Sequence, residues 1–299
     1  MAHVATPLFL AATVLAAGVL AEPQGRSQKP SERRTREVYV SVVDGNGKPV
    51  AGLTAADFTV REDNVAREVL KAGPATELLT IALTVDDSQS SRSYIQYYRD
   101  GLKGFVRRLD GKAEIALSTF GDRPTSVVDY TQSTVQLEKG ITSIFSRTGS
   151  GAYLLEAVSE LSRGIERRES PRKAIVALLV ENGPEFSTLF YQNVLDSLKR
   201  SGATLHVLAI GPPSDSLNEE QRNRNIVVAE GTSLTGGRRD QILAESAIGD
   251  RLVQLADELT NQYVVSYSRP ETLIPPEKLE VSVSKSGLTV RAPKRTSGK

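Results

Sequence analysis

The sequence predicts an α/β protein: a doubly wound, mainly parallel sheet flanked by a small β unit built from the N- and C-terminal segments. Three observations point there. Apolar runs suited to strands buried on both faces recur between stretches of helical periodicity. The two ends instead alternate apolar and polar residues, with turn dipeptides between. The length, 299 residues, is ample for a packed core.

Taken in order, residues 4–21, VATPLFLAATVLAAGVLA, are uncharged and apolar and end in Val19-Leu20-Ala21. That small-residue pattern predicts an export signal over 1–21 and a periplasmic or secreted protein. A retained membrane anchor is the alternative: the run is at the edge of spanning length. No Lys or Arg precedes it, while Arg26, Lys29, Arg33, Arg34 and Arg36 follow, the wrong side for a cleaved leader. Residues 22–36 read as a disordered linker. In 37–75, Val38, Val40 and Val42 alternate with Tyr39, Ser41 and Val43; DGNGKP is a turn, and FTVREDNVAREVLKA repeats strand–turn–strand about Asp63-Asn64.

From 76 to 260 the period changes. LLTIALTV (78–85), AEIALSTF (113–120), KAIVALLV (173–180) and ATLHVLAIG (203–211) read as buried strands, and SVVDY (126–130) as a short one. Helical spacing runs through 93–109 (Ile95, Tyr98, Leu102, Phe105, Leu109), 135–146, 152–168, 190–202 and 248–262. Alternation of this kind calls for a parallel sheet covered on both faces, with functional loops at the carboxyl ends of its strands. Residues 261–293 return to β character, and 294–299 are a tail. Three strands alone make a poor domain, so the two ends are expected to pair.

Composition removes several classes. Lys and Arg number 37 against 36 Asp and Glu, so no strong field points to nucleic acid. Cysteine is absent, which excludes disulfides, a thiol nucleophile and a lipidated cysteine. The two histidines are His3 and His206, the latter in an apolar run that suits a core position. There is no GxSxG elbow and no histidine motif to serve a serine nucleophile, so the chain reads as non-enzymatic. TGSGAYL lacks the preceding strand, third glycine and lysine of a phosphate loop. DGNGKPV lacks the calcium-loop spacing. Arg238 and Arg239 in GGRRDQ read as solvated surface.

The first buried strand ends in Asp86-Asp87-Ser88-Gln89-Ser90, a DxSxS string. With the strand–helix order around it, this resembles a von Willebrand factor A (VWA) domain. VSVVDGNGKPVAGLTAADFTVREDN before it, and SLTGGR, LADELTNQYVVSYS and LTVRAPKR after it, resemble the VWFA-related domain described from Acidobacteria. The resemblance covers about residues 37–295 and implies a metal-ion-dependent adhesion site for Mg²⁺. Ser88 and Ser90 would be direct ligands and Asp86 would hold a bound water. The second loop should offer a threonine where Ala152 stands, with Thr148 and Ser150 out of register nearby. The third should offer an aspartate where Asn182 stands. Alanine brings no oxygen and asparagine no charge, so the site is degenerate. Glu181, Glu185 and Asp87 are the carboxylates that could restore charge. An ordinary polar loop capping the next helix is the competing reading of the string.

The resemblance further implies non-covalent binding of a protein or cell-surface ligand at the sheet's carboxyl edge. Membrane contact is expected only through an uncleaved N-terminal segment. Phe186, Leu189, Phe190 and Tyr191 are either anchors for that ligand or the buried side of a helix. Two other classes stay open: a scaffold subunit pairing through strand edges at 278–284 or 287–292, and a metal-dependent hydrolase, which needs a second charged cluster beside Asp86.

Overall fold

In a computed structural model, which describes residues 1–3, 33–213, 217–270 and 276–294, the centre is β5 (Leu79–Val85), buried along its whole length. Period-two alternation divides it between two apolar layers: Leu79, Ile81, Leu83 and Val85 face one, Ala82 the other. β8 (Arg172–Val180) divides the same way, with Val176 and Leu178 on the first side and Ile175, Ala177 and Leu179 on the second. Such strands must be covered twice. Helices α1 (Ile95–Arg108), α2 (Thr134–Thr142) and α7 (Ile248–Thr260) cover the first layer; α3 (Leu154–Glu166) and α4 (Tyr191–Ser201) cover the second. With β6 (Ala113–Thr119), β7 (Thr125–Thr131), β9 (Thr204–Ile210) and β10 (Arg239–Ile242), the order is β10-β9-β8-β5-β6-β7. Only the outer β6–β7 pair is antiparallel.

The two ends of the chain meet. β1 (Arg33–Val43) runs antiparallel to β11 (Tyr263–Pro270), which also pairs β4 (Val69–Pro74), while β13 (Thr289–Arg291) flanks β1. A three-stranded sheet of β12 (Leu279–Val283), β2 (Phe58–Glu62) and β3 (Val65–Arg67) packs on them through Val40, Phe58, Val60, Val265 and Tyr267. Asp63 and Asn64, both at positive φ (47° and 66°), make the tight β2–β3 turn. Leu279 N donates to Lys294 O at 2.8 Å, so the outer strands partly close on each other.

Two expectations are corrected. Residues 33–36 belong to β1, not to a linker: from Arg33↔Pro270 to Arg36↔Tyr267 they pair with β11, and main-chain pairing is indifferent to their charge. Residues 219–235, where periodicity assigns no element, form α5 (Glu219–Ile226), a π-helical turn (Val227–Gly231) and α6 (Thr232–Thr235). α5 lacks an apolar stripe, and its buried residues are Gln221 and Arg224. Its start is nonetheless marked by a capping box, with Gln221 N on Asn218 Oδ1 (2.8 Å) and Asn218 N on Gln221 Oε1 (3.1 Å). Gly236 ends α6 at φ 74°, where an added Cβ would lie 2.2 Å from the Ala292 carbonyl carbon.

No helix among the described residues is long and apolar enough to cross a membrane. The apolar run 4–21 and most of the segment read as linker lie outside those residues.

Candidate functional site

Three loops meet at the carboxyl edge of the sheet: 86–91 after β5, 181–190 after β8, and 146–153, which joins α2 to α3. Asp86 still belongs to the sheet: its N–H donates to Leu178 O at 2.9 Å. Its carboxylate, 0 % exposed, bridges two strand ends by accepting Ser88 N (2.9 Å) and Val180 N (3.1 Å). Burial pushes Asp86 above the usual carboxylate range. Ser88 Oγ is buried with no hydrogen-bond partner, while the Ser88 carbonyl accepts Ser91 Oγ (2.7 Å) and Ser146 Oγ (3.0 Å). Ser90 is half-buried against Gly183, where an added Cβ would meet its Oγ at 3.1 Å.

Asp87 ties the first loop to the second. It accepts Gly121 N at 2.6 Å and pairs with Arg147 Nε at 2.8 Å, and its carbonyl takes Arg147 N at 2.8 Å. Gly121 is needed for this approach, since a Cβ there would fall 2.4 Å from Ser88 N. In the second loop Thr148 is exposed and Ser150 Oγ donates back to Arg147 O at 2.9 Å. Ala152, 1 % exposed, bridges Gly121 and Glu185 through its backbone and joins the apolar layer under α3.

In the third loop Asn182 is exposed, its Oδ1 bordering the space over Gly211 together with the Tyr94 hydroxyl. Glu181 and Glu185 point inward, 2 % and 1 % exposed. Glu185 Oε1 accepts Leu154 N (3.1 Å) and the Ser187 hydroxyl; its Oε2 has no partner. Burial pushes Glu185 up to about 7, against Ser187 and Arg224.

Helix α5 holds this loop from outside the sheet. Gln221 Nε2 donates to Gly183 O at 3.1 Å, and one turn on Arg224 Nη2 donates to Glu181 O at 2.8 Å. Arg224 is fully buried, lies 3.9 Å from Glu181 Oε1 and leaves Nη1 without a partner. Arg239, at the start of β10, reaches Glu181 Oε2 at 3.0 Å. Arg238 is buried and turned towards Glu258, so it is not solvated surface, while Arg239 is exposed as expected and still reaches Glu181. The sequence reading missed Arg147, Gln221 and Arg224. The Asn218-x-x-Gln221 box was the signal for the last two.

The residues present do not fit Mg²⁺. Two features agree, the unpartnered Ser88 Oγ and Glu185 Oε2. Against them, both Asp86 oxygens are taken by backbone N–H groups, Ala152 offers a core methyl, and Asn182 is turned to solvent. The carboxylates that could restore charge are engaged elsewhere: Asp87 with Arg147, Glu181 with Arg224 and Arg239, and Glu185, through Oε1 alone, with Leu154 N and Ser187. The charged cluster that folding brings towards Asp86 is buried and largely paired with Arg147, Arg224 and Arg239.

Beside the third loop lies an open cleft of about 550 Å³. Phe186, Leu189 and Phe190 line one side; Asn218, Glu219 and Glu220 at the start of α5 line the other. Phe186 and Phe190 are 48 % and 51 % exposed, while Leu189 and Tyr191 pack on the core, so the four aromatic and aliphatic candidates split between the two expected roles.

No family model and no curated protein matches the chain. Solved structures do. A von Willebrand factor type A protein from Catenulispora acidiphila superposes with a TM-score of 0.50 at 12 % identity, covering 89 % of this chain and 73 % of that one. The pilus adhesin SpaC from Lactobacillus rhamnosus GG gives 0.48 at 12 %, over 86 % and 49 %. The VWF domain of the type V pili tip protein Mfa5 from Porphyromonas gingivalis gives 0.46 at 11 %, over 61 % and 95 %. At such identities the likeness concerns the backbone, and with the sheet order and loop placement above it leads to one conclusion: the chain has the fold of a von Willebrand factor A domain.

Proposed function

We propose that the protein is a non-enzymatic, adhesion-type VWA protein of the VWFA-related group, which binds a protein or cell-surface partner at the carboxyl edge of its central sheet. The observation that carries this reading is the cleft beside the third loop. Two half-exposed phenylalanines stand there on a rigid loop opposite two glutamates, and large aromatic side chains left in water beside a concave surface are the usual anchors of an interface. An apolar side chain flanked by Lys or Arg suits that lining. The adhesion site of the resemblance, at Asp86, Ser88 and Ser90, is degenerate here and serves as the frame of the edge. The N-terminal run 4–21 makes the protein an exported one, which mass spectrometry of the mature N-terminus would test through cleavage after Ala21.

Selection from a random peptide display library on the purified protein tests the binding face. Enriched peptides should combine an apolar residue with Lys or Arg and lose about tenfold or more in affinity for the Phe186→Ser/Phe190→Ser variant. Peptides that bind both proteins equally would place recognition elsewhere and sink this reading.

A further inference from the structure

The charge at the loop edge goes beyond the binding proposal and stands whether or not that cleft takes a partner. Four carboxylates gather where the three loops meet: Asp86, Asp87, Glu181 and Glu185, each 3 % exposed or less. Buried carboxylates need a compensating charge nearby, which a dication supplies in a metal-bearing site. Here three guanidinium groups of the chain already stand around them. Arg147 bonds Asp87 at 2.8 Å from the second loop, and Arg239 bonds Glu181 at 3.0 Å from β10. Arg224 approaches from α5, wholly buried, 3.9 Å from Glu181 Oε1 and within electrostatic reach of Glu185 and Asp86.

Arg224 is placed by design of the local sequence. The capping box starts α5 at Asn218, and Gln221 and Arg224 then fall on one face, three residues apart. Both donate to loop carbonyls, Gly183 O and Glu181 O. A long flexible cation buried in this way holds the third loop and carries positive charge to its underside. It also leaves Nη1 without a partner, as Glu185 Oε2 and Ser88 Oγ are.

We infer that this is a metal-independent edge in which Arg224, supported by Arg147 and Arg239, takes the electrostatic role of the dication and pre-organises the loops without one. A dication brought close would meet a fixed guanidinium and carboxylates already bonded. Ala152 and Asn182, which bring neither the oxygen nor the charge of the expected ligands, are therefore one half of the arrangement, and the buried cation is the other.

The test is a titration of the purified protein with Mn²⁺ or Mg²⁺ alone, by calorimetry and by thermal unfolding against EDTA. Wild type should show no saturable heat and the same midpoint in all conditions. A metal that bound the folded state would raise the midpoint as its concentration passed the Kd, and that rise in wild type would overturn the inference. The Ala152→Thr/Asn182→Asp variant should remain without metal binding, because Arg224 still occupies the charge position; saturable binding there would assign the loss to the two ligands alone and equally overturn it. Adding Arg224→Gln to that pair should create saturable Mn²⁺ binding that the pair lacks, and a triple variant that binds no Mn²⁺ would overturn the role given to Arg224. Wild type and the double variant decide the question by themselves if the triple variant is obtained only with metal present.

Discussion

Opposite ends of β9 carry two buried ionic clusters that look alike in composition and differ in how they are satisfied. At the amino end, Glu258 on α7 accepts Arg238 at 2.9 Å and Arg291 of β13 at 3.1 Å, one arginine for each carboxylate oxygen. Arg238 also bonds Asp240. This cluster clamps a strand of the terminal β unit to the central domain. At the carboxyl end, Ser88 Oγ, Glu185 Oε2 and Arg224 Nη1 are all buried without partners. Native proteins rarely leave such atoms unmatched unless water, a ligand or a change of state answers them. The contrast separates a clamp whose carboxylate oxygens are both paired from a loop edge that keeps unmatched polar atoms.

The largest effect should come from breaking the clamp. Glu258→Gln leaves Arg291 without its anion and Arg238 with Asp240 alone, and loss of one partner from a buried pair typically costs about 3–5 kcal/mol. Urea unfolding should register a loss of that size; a change below about 1 kcal/mol would mean that the triad contributes little. An equivalent charge change at the other pole should act in the opposite direction. Glu185 is raised from 4.5 to about 7 by burial, so the unfolded chain ionises first as pH rises and stability falls between those values. His206, beside the clamp and near Glu258, Arg238, Arg291 and Asp240, is lowered from 6.5 to about 4, so stability falls as pH drops through that window. In wild type the two slopes oppose each other between pH 4.5 and 6.5. Glu185→Gln should remove one of them. The variant gains on the order of 3 kcal/mol above pH 7 and exposes the His206 slope below. A variant with the wild-type pH profile would show that Glu185 titrates normally.

Legibility followed the same division. Strands buried on both faces were readable because β5 and β8 cannot be stable unless covered twice, and the Asp63-Asn64 reversal because the short turn needs two residues at positive φ. Asp86 and Ser88 were placed at the right edge by strand polarity alone. Arg224 was not, because its helix has no apolar face and a buried arginine looks like a surface one in sequence. Position Ala152 could be aligned, but its burial in the layer under α3 depends on Gly121 and Glu185, more than thirty residues away on either side.

Two smaller predictions sharpen the comparison. Gly121→Ala forces a methyl against Ser88 N and Asp87, and overpacking of this kind costs about 1–3 kcal/mol. Its backbone amides near Ser88 should also lose hydrogen-exchange protection, while those around Glu258 keep theirs. Phe190→Ser, at the cleft rim, should change stability by less than about 0.5 kcal/mol in thermal unfolding. A larger loss would make Phe190 a packing residue and remove it from the binding face.

By itself the sequence determined the layer architecture, the pairing of its two ends and the edge at which polar loops emerge. Those follow from local period, turn chemistry and strand polarity, which act over a few residues. Only the tertiary structure decided which charges are buried together, because Arg147, Arg224 and Arg239 reach Asp87 and Glu181 across 60, 43 and 58 positions of chain. Electrostatic compensation depends on distance in space and on exclusion of water, and neither is written in residue order.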